Sequence, residues 1–225
     1  MNHKITISAV VGAIAILVAT EWPSNNETQH SADTNHFLPW QIEHTAEGAT
    51  LVFGLILGRS TLAEAEHRFA AESEVSLFVA PNGKLVVEGY FDGVNLAGLG
   101  ARVIVVVDTP AKTEIYNRGA RISTLGDGTH KVSLSTEDLI QIRHQPITSL
   151  TYLPKVKLDP ALIESRFGKP QIQIREPKQD TNHWLYPEQG LDIALGVGPP
   201  VFQYVAPRDF SLLSTPLIQQ GERLP

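Results

Sequence analysis

The chain has 225 residues and a mass of 24.6 kDa; 42% hydrophobic and 19% charged residues is an ordinary globular balance that excludes disorder throughout. A formal net charge of −6 leaves no basic surplus to neutralise a phosphate backbone, which argues against a general nucleic-acid binder. The absence of cysteine excludes disulfides, thiolate metal sites, a cysteine nucleophile and a lipid-bearing cysteine.

In chain order, the first feature is an export signal over residues 1–20. Lys4 precedes an apolar run, Ile5–Ala19, whose only polar members are Thr6 and Ser8. As a helix the run spans roughly 22 Å, short of the roughly 30 Å of bilayer hydrocarbon. That length fits a cleaved signal peptide. The poor cleavage pair Leu17 and Ala19, and Trp22 placed as an interfacial aromatic, favour a retained membrane anchor. Residues 21–44 open with a polar stretch without periodicity, Glu21–His36, and read as a flexible tether. The remainder would then face the periplasm.

Residues 45–108 read as a first α+β unit. Thr61-Leu-Ala-Glu64 is a capping box, and Leu62, Ala65 and Phe69 make one buried helix face. Val75–Val79, Asn82-Gly83 and Lys84–Glu88 predict a hairpin with a type I′ turn, and Arg102–Val107 is apolar enough for a central strand. Residues 109–147 form a connecting insertion with a turn at Leu125–Gly128 and a second capping box, Ser135-Thr-Glu-Asp138.

Residues 148–210 repeat the grammar. Asp159 caps, Pro160 occupies the first helical position, and Leu162, Ile163 and Phe167 are apolar. Gly168 ends the helix before Pro170. Strands are predicted over Gln171–Arg175, Trp184–Tyr186, Leu191–Leu195 and Val201–Val205. A shift of 98 residues superposes Ala63, Glu66, Arg68 and Phe69 on Ala161, Glu164, Arg166 and Phe167. The fold class is therefore α+β, with two tandem repeats, each a short helix packed on an antiparallel sheet; residues 211–225 read as a C-terminal tail.

The second unit, with Arg166-Phe-Gly-Lys-Pro170 followed by Trp184-Leu-Tyr186, resembles the small outer-membrane assembly lipoproteins of the BamE type, whose fold is shared with the tandem-repeat β-lactamase inhibitor protein. The resemblance covers roughly Leu153 to Pro207. It departs from the family in Phe69-Ala-Ala71 of the first unit, which lacks the Gly-x-Pro step, and in the missing lipidation cysteine. It implies a non-enzymatic role in binding an envelope protein.

Chemical motifs are few. Gly98-Leu-Gly100 lacks a third glycine and leads into a strand, so it reads as a turn and not a nucleotide site. The eight histidines include no pair at helical ligand spacing, so no metal or cofactor is expected. His183 reads as solvent-facing in a strand, and the carboxylate pairs Glu64/Glu72 and Glu137/Asp138 as solvated helix surface. Trp184, Tyr186 and Tyr204 are the candidate partner-binding residues, with burial beneath the helix as the competing reading. The alternatives to a protein-binding or assembly-support module are a small-molecule-binding envelope domain and a hydrolase using His183, Asp192 or Tyr186.

Overall fold

A computed structural model describes residues 38–119 and 121–225; the export segment and most of the expected tether lie outside the described residues. The elements run β1 (Glu43–His44), β2 (Thr50–Val52), β3 (Leu55–Ile56), α1 (Leu62–Phe69), β4 (Glu74–Val79), β5 (Leu85–Leu96), β6 (Leu99–Val107), α2 (Lys112–Arg118), β7 (Arg121–Thr124), β8 (His130–Ser133), α3 (Thr136–Arg143), β9 (Ile147–Pro154), α4 (Pro160–Phe167), β10 (Ile172–Glu176), β11 (Thr181–Tyr186), β12 (Leu191–Leu195), β13 (Val201–Val205), α5 (Ser211–Gln220) and β14 (Glu222–Arg223). β1–β3 form a small sheet of their own. The other eleven strands form one sheet in the order β14-β10-β11-β12-β13-β9-β6-β5-β4-β8-β7, with every adjacent pair antiparallel. The chain is thus a mixed helix and strand protein built on a large antiparallel sheet.

Local chemistry sets the helices. Thr61 and Glu64 close the expected capping box on α1, and Leu62, Ala65 and Phe69 are its buried residues. Asp159 accepts from the Ala161 amide at 2.7 Å to start α4, whose buried residues are Ile163 and Phe167; Leu162 points to solvent instead. The β4–β5 hairpin forms, but its turn is not type I′. Of Asn82 and Gly83 only Gly83 has positive φ, and the Gly83 amide donates to the Ala80 carbonyl at 2.8 Å. Pro81 holds its own φ negative one residue into that turn, which suits an ordinary turn followed by a left-handed glycine. Two-residue turns with both φ positive occur instead at Phe53-Gly54, between β2 and β3, and at Ala97-Gly98, between β5 and β6.

Side-chain alternation divides the main sheet into two faces. On one face lie Val103, Val105 and Val107 of β6, Leu150 and Tyr152 of β9, and Phe202 and Tyr204 of β13. They join buried residues of α1, α2, α3 and α4 in a single core. The small sheet adds Phe53, whose ring meets Tyr152 at 5.2 Å and Tyr204 at 5.8 Å. Residues 38–44, expected as the end of the tether, are fastened to this face. The Pro39 carbonyl accepts from the Tyr204 hydroxyl at 2.9 Å, Trp40 meets Phe167 edge-on at 6.5 Å, and Arg166 lies 5.0 Å over the Trp40 ring.

The second face is served differently. Residues 211–225 form α5 and β14 where a tail was expected. Phe210, Leu213 and Leu217 cover Ile174, Leu185 and Val205 at one end of the sheet, and β14 pairs with β10. Thr109–Pro146, expected as an insertion, contributes α2 and α3 to the main core and the hairpin β7–β8 to the sheet edge.

Two measurements check this packing. Phe69→Ala and Phe167→Ala should each lower unfolding free energy by about 3–5 kcal/mol in denaturant titration, through lost burial and a cavity. Conversely, the Tyr152 hydroxyl is buried with no hydrogen-bond partner, and burial pushes it up to about 12. Tyr152→Phe should therefore raise stability by about 1 kcal/mol, because it removes an unsatisfied polar atom without opening a cavity.

Candidate functional site

The three aromatic candidates share the core-covered face: two-residue spacing along β11 puts Trp184 with Tyr186, and the register Tyr186–Leu191–Tyr204 across β12 puts Tyr204 with them. Tyr204 is fully buried, and burial raises its hydroxyl well above the usual tyrosine range. Tyr186 is buried against Phe167 at 6.2 Å and donates to the Gly168 carbonyl at 3.0 Å; burial, with Glu164 nearby, pushes it up to about 12. Trp184 is half-buried and packs on the same core. Ring surface open to a partner is therefore confined, within this trio, to Trp184.

His183 is the principal correction. It was expected to face solvent, yet its side chain is 3% exposed and lies on the second face, opposite Tyr186. Its neighbours explain this. His183 stands beside Ile174 on β10 and Ala194 on β12, while Glu176 and Asp192 lie two residues along those strands, at the next position on the same face. Nδ1 meets Asp192 Oδ2 at 2.9 Å, and Nε2 faces Glu176 Oε2 at 3.6 Å, close enough for charge attraction and too long for a hydrogen bond. Gln179 Nε2 donates to the other Glu176 oxygen at 3.2 Å. Burial alone would push the imidazole down, but the charge and hydrogen bond of Asp192, with Glu176, outweigh it and push it up to about 10. The result is a buried imidazolium between two carboxylates.

This arrangement does not suit a shared metal ion, because the carboxylates address opposite nitrogens of the ring and no single point lies between all three. Among the described residues no group of three or more His, Asp or Glu is arranged to hold a metal. Nor does it assemble the hydrolase set, since Tyr186 lies on the other face of the sheet. The sequence carried a signal for the cluster: in β10, β11 and β12 a charged or ionisable residue sits in phase with apolar ones, as in Ile174-x-Glu176, His183-x-Leu185 and Asp192-x-Ala194. Glu176 escaped notice because its partner is set by hairpin register and not by spacing.

Other ionisable groups tie elements together. Asp138, expected on solvated helix surface, is buried. Arg118 binds it and, with the Ser135 hydroxyl, holds its carboxyl below the usual range, joining α2 to the start of α3. Glu66 accepts from the Ser73 hydroxyl at 2.7 Å and pairs with Arg143 at 3.0 Å, joining α1 to α3; Ala70, Ala71 and Glu72 complete a shallow open depression beside it. Comparison with known proteins finds no family model, no curated protein and no solved structure that matches this chain.

The charge on His183 can be tested through stability. Its folded pKa lies above the unfolded value near 6.5, so its contribution is fully present below that pH and is lost as pH rises through about 10. Chemical denaturation across pH 6–11 should show this decline in the wild-type chain and not in His183→Gln. At pH 6 that variant should be weaker by about 3–5 kcal/mol, because two buried carboxylates then lack their counter-charge.

Proposed function

We propose that the chain is a periplasm-facing, non-enzymatic module of the cell envelope that binds a protein partner or supports an assembly, carried there by its N-terminal segment and built from two BamE-like repeats. Support for the repeat comes from strand order. A helix followed by four strands occurs twice, as α1 with β4, β5, β6 and β9, and as α4 with β10, β11, β12 and β13. Each set forms a four-stranded meander, the two fourth strands pair with each other, and equivalent strands run in opposite directions, as a two-fold axis would require. On this reading the second unit begins after β9, and α2, β7, β8 and α3 interrupt the first.

The observation that carries the binding role is a pair of exposed apolar side chains on neighbouring loops. Val197, between β12 and β13, is 81% exposed, and Val156, after β9, is 44% exposed. Lys157 Nζ reaches the Val197 carbonyl at 3.5 Å, which holds the two loops side by side. Apolar side chains presented together outside any core are what an interface uses as anchors. The export part of the proposal predicts that alkaline phosphatase fused after Asp33 is active, whereas a cytoplasmic reporter at the same position is silent; the reverse pattern would sink it. The binding part predicts that Val197→Asp abolishes a specific cross-linked adduct with an envelope protein while leaving the melting temperature within a degree of wild type. An unchanged adduct would move the contact elsewhere.

A further inference from the structure

The core-covered face of the main sheet runs out towards its β10 and β14 end, and Trp184 stands at that margin. A side chain on one face has as neighbours the residues two positions along its strand and those directly across on the adjoining strands. For Trp184 these are Tyr186 and Asn182 on β11, Ile193 on β12 and Gln173 on β10. Tyr186 and Ile193 are buried, and Phe167 of α4 lies on Tyr186, so that flank of the indole belongs to the core. Asn182 is exposed and Gln173 half-buried, so the other flank opens onto two side-chain amides. Neither amide, nor the indole N–H, hydrogen-bonds to any described residue, and none of the three is sealed from solvent. Arg175, across from Asn182, is steadied by Asp180 at 3.1 Å, and Glu222 of β14 stands opposite Arg175 on its other side. Those three charged side chains carry no net positive charge, which argues against a phosphate-bearing ligand.

We propose that this margin binds a saccharide, with one pyranose ring of a β-linked N-acetylated chain lying against Trp184 and its polar rim met by Gln173 and Asn182. The ligand's two surfaces match the site's two parts. C–H bonds on the apolar face of a β-linked pyranose are weakly positive and suit the negative face of an indole. Hydroxyls and acetamido groups both donate and accept, as a side-chain carboxamide does, and one carboxamide can meet an acetamido N–H and C=O together. Scale agrees: adjoining strands lie about 4.8 Å apart and alternate residues of one strand about 6.7 Å apart, so both amides stand within one sugar ring's width of the indole. Paired strands carry all of these side chains, so little backbone freedom is lost when a ligand settles on them. The site is separate from the loops that bear Val156 and Val197, and it stands whether or not those loops bind a protein.

The test titrates chitotetraose, a β-linked oligomer of N-acetylglucosamine, into the full chain by calorimetry, in a detergent without a sugar headgroup so that nothing competes. Saturable binding is expected with a Kd below about 5 mM, weakened at least about fivefold in the double variant Gln173→Ala/Asn182→Ala. Neither amide is part of the core, so the double variant should melt within about two degrees of wild type. Saturation-transfer nuclear magnetic resonance should carry magnetisation from aromatic protons to the sugar C–H protons in the wild-type chain and not in Trp184→Leu. No saturable binding by the wild-type chain at about 5 mM, a loss below about fivefold in the double variant, or undiminished transfer in Trp184→Leu would overturn the proposal. If circular dichroism shows Trp184→Leu to be unfolded, the double variant decides.

Discussion

Continuity of hydrogen bonding through β9 governs this molecule. Ile147–Pro154 pairs along one edge with β6 and along the other with β13, so that the two strand systems share one uninterrupted sheet. Its side chains do the same for the core: Leu150 and Tyr152 stand where the α1 side meets the α4 side, and Tyr152 contacts both Phe53 and Phe202. A unit of about sixty residues buries only about 60% of its unfolded surface and is marginal alone. Joined at this seam, the two systems contribute to one core, and the small sheet β1–β3 has a continuous surface to cover. Thr50 fixes it there by donating to the Val205 carbonyl at 2.8 Å.

Polar groups inside the fold are placed where they fasten elements, not where they gather around a space. Arg118–Asp138 and Arg143–Glu66 bind helices to one another at the margin of the core, with the arginines partly in water. The Glu176–His183–Asp192 cluster has no such access. Three ionisable groups removed from water carry a large desolvation cost, offset by one close hydrogen bond and two opposite charges. Such a cluster fixes the register of β10, β11 and β12, because a one-residue slip would turn each of these side chains to the aromatic face.

Elements defined by local chemistry were legible in the sequence. The capping residues Thr61 and Asp159 start their helices as read, and β12 and β13 coincide with the apolar runs Leu191–Leu195 and Val201–Val205. Features that depend on distant partners were not. Phe53 takes a left-handed conformation that glycine or asparagine would adopt more easily, because its ring is held between Tyr152 and Tyr204. α5 was concealed by Pro216, which usually argues against a helix interior, while Phe210, Leu213 and Leu217 supplied an apolar face that needed Ile174 and Leu185 opposite to be understood. His183 looked like ordinary strand alternation for the same reason: its two carboxylates come from neighbouring strands.

The position of β9 in the chain has a consequence for synthesis. β4, β5 and β6 can pair as soon as they are made, since each neighbours the next in sequence. The outer edge of β6, with Val103, Val105 and Val107 among its residues, then stays unpaired until α2, β7, β8 and α3 have followed and residues 147–154 arrive. A nascent chain arrested between Val107 and Ile147 would present an apolar open edge able to recruit any extended segment, including the same strand of another ribosome's product. The order in which the strands are laid down thus makes the stretch between β6 and β9 an interval in which this protein is exposed to misassembly.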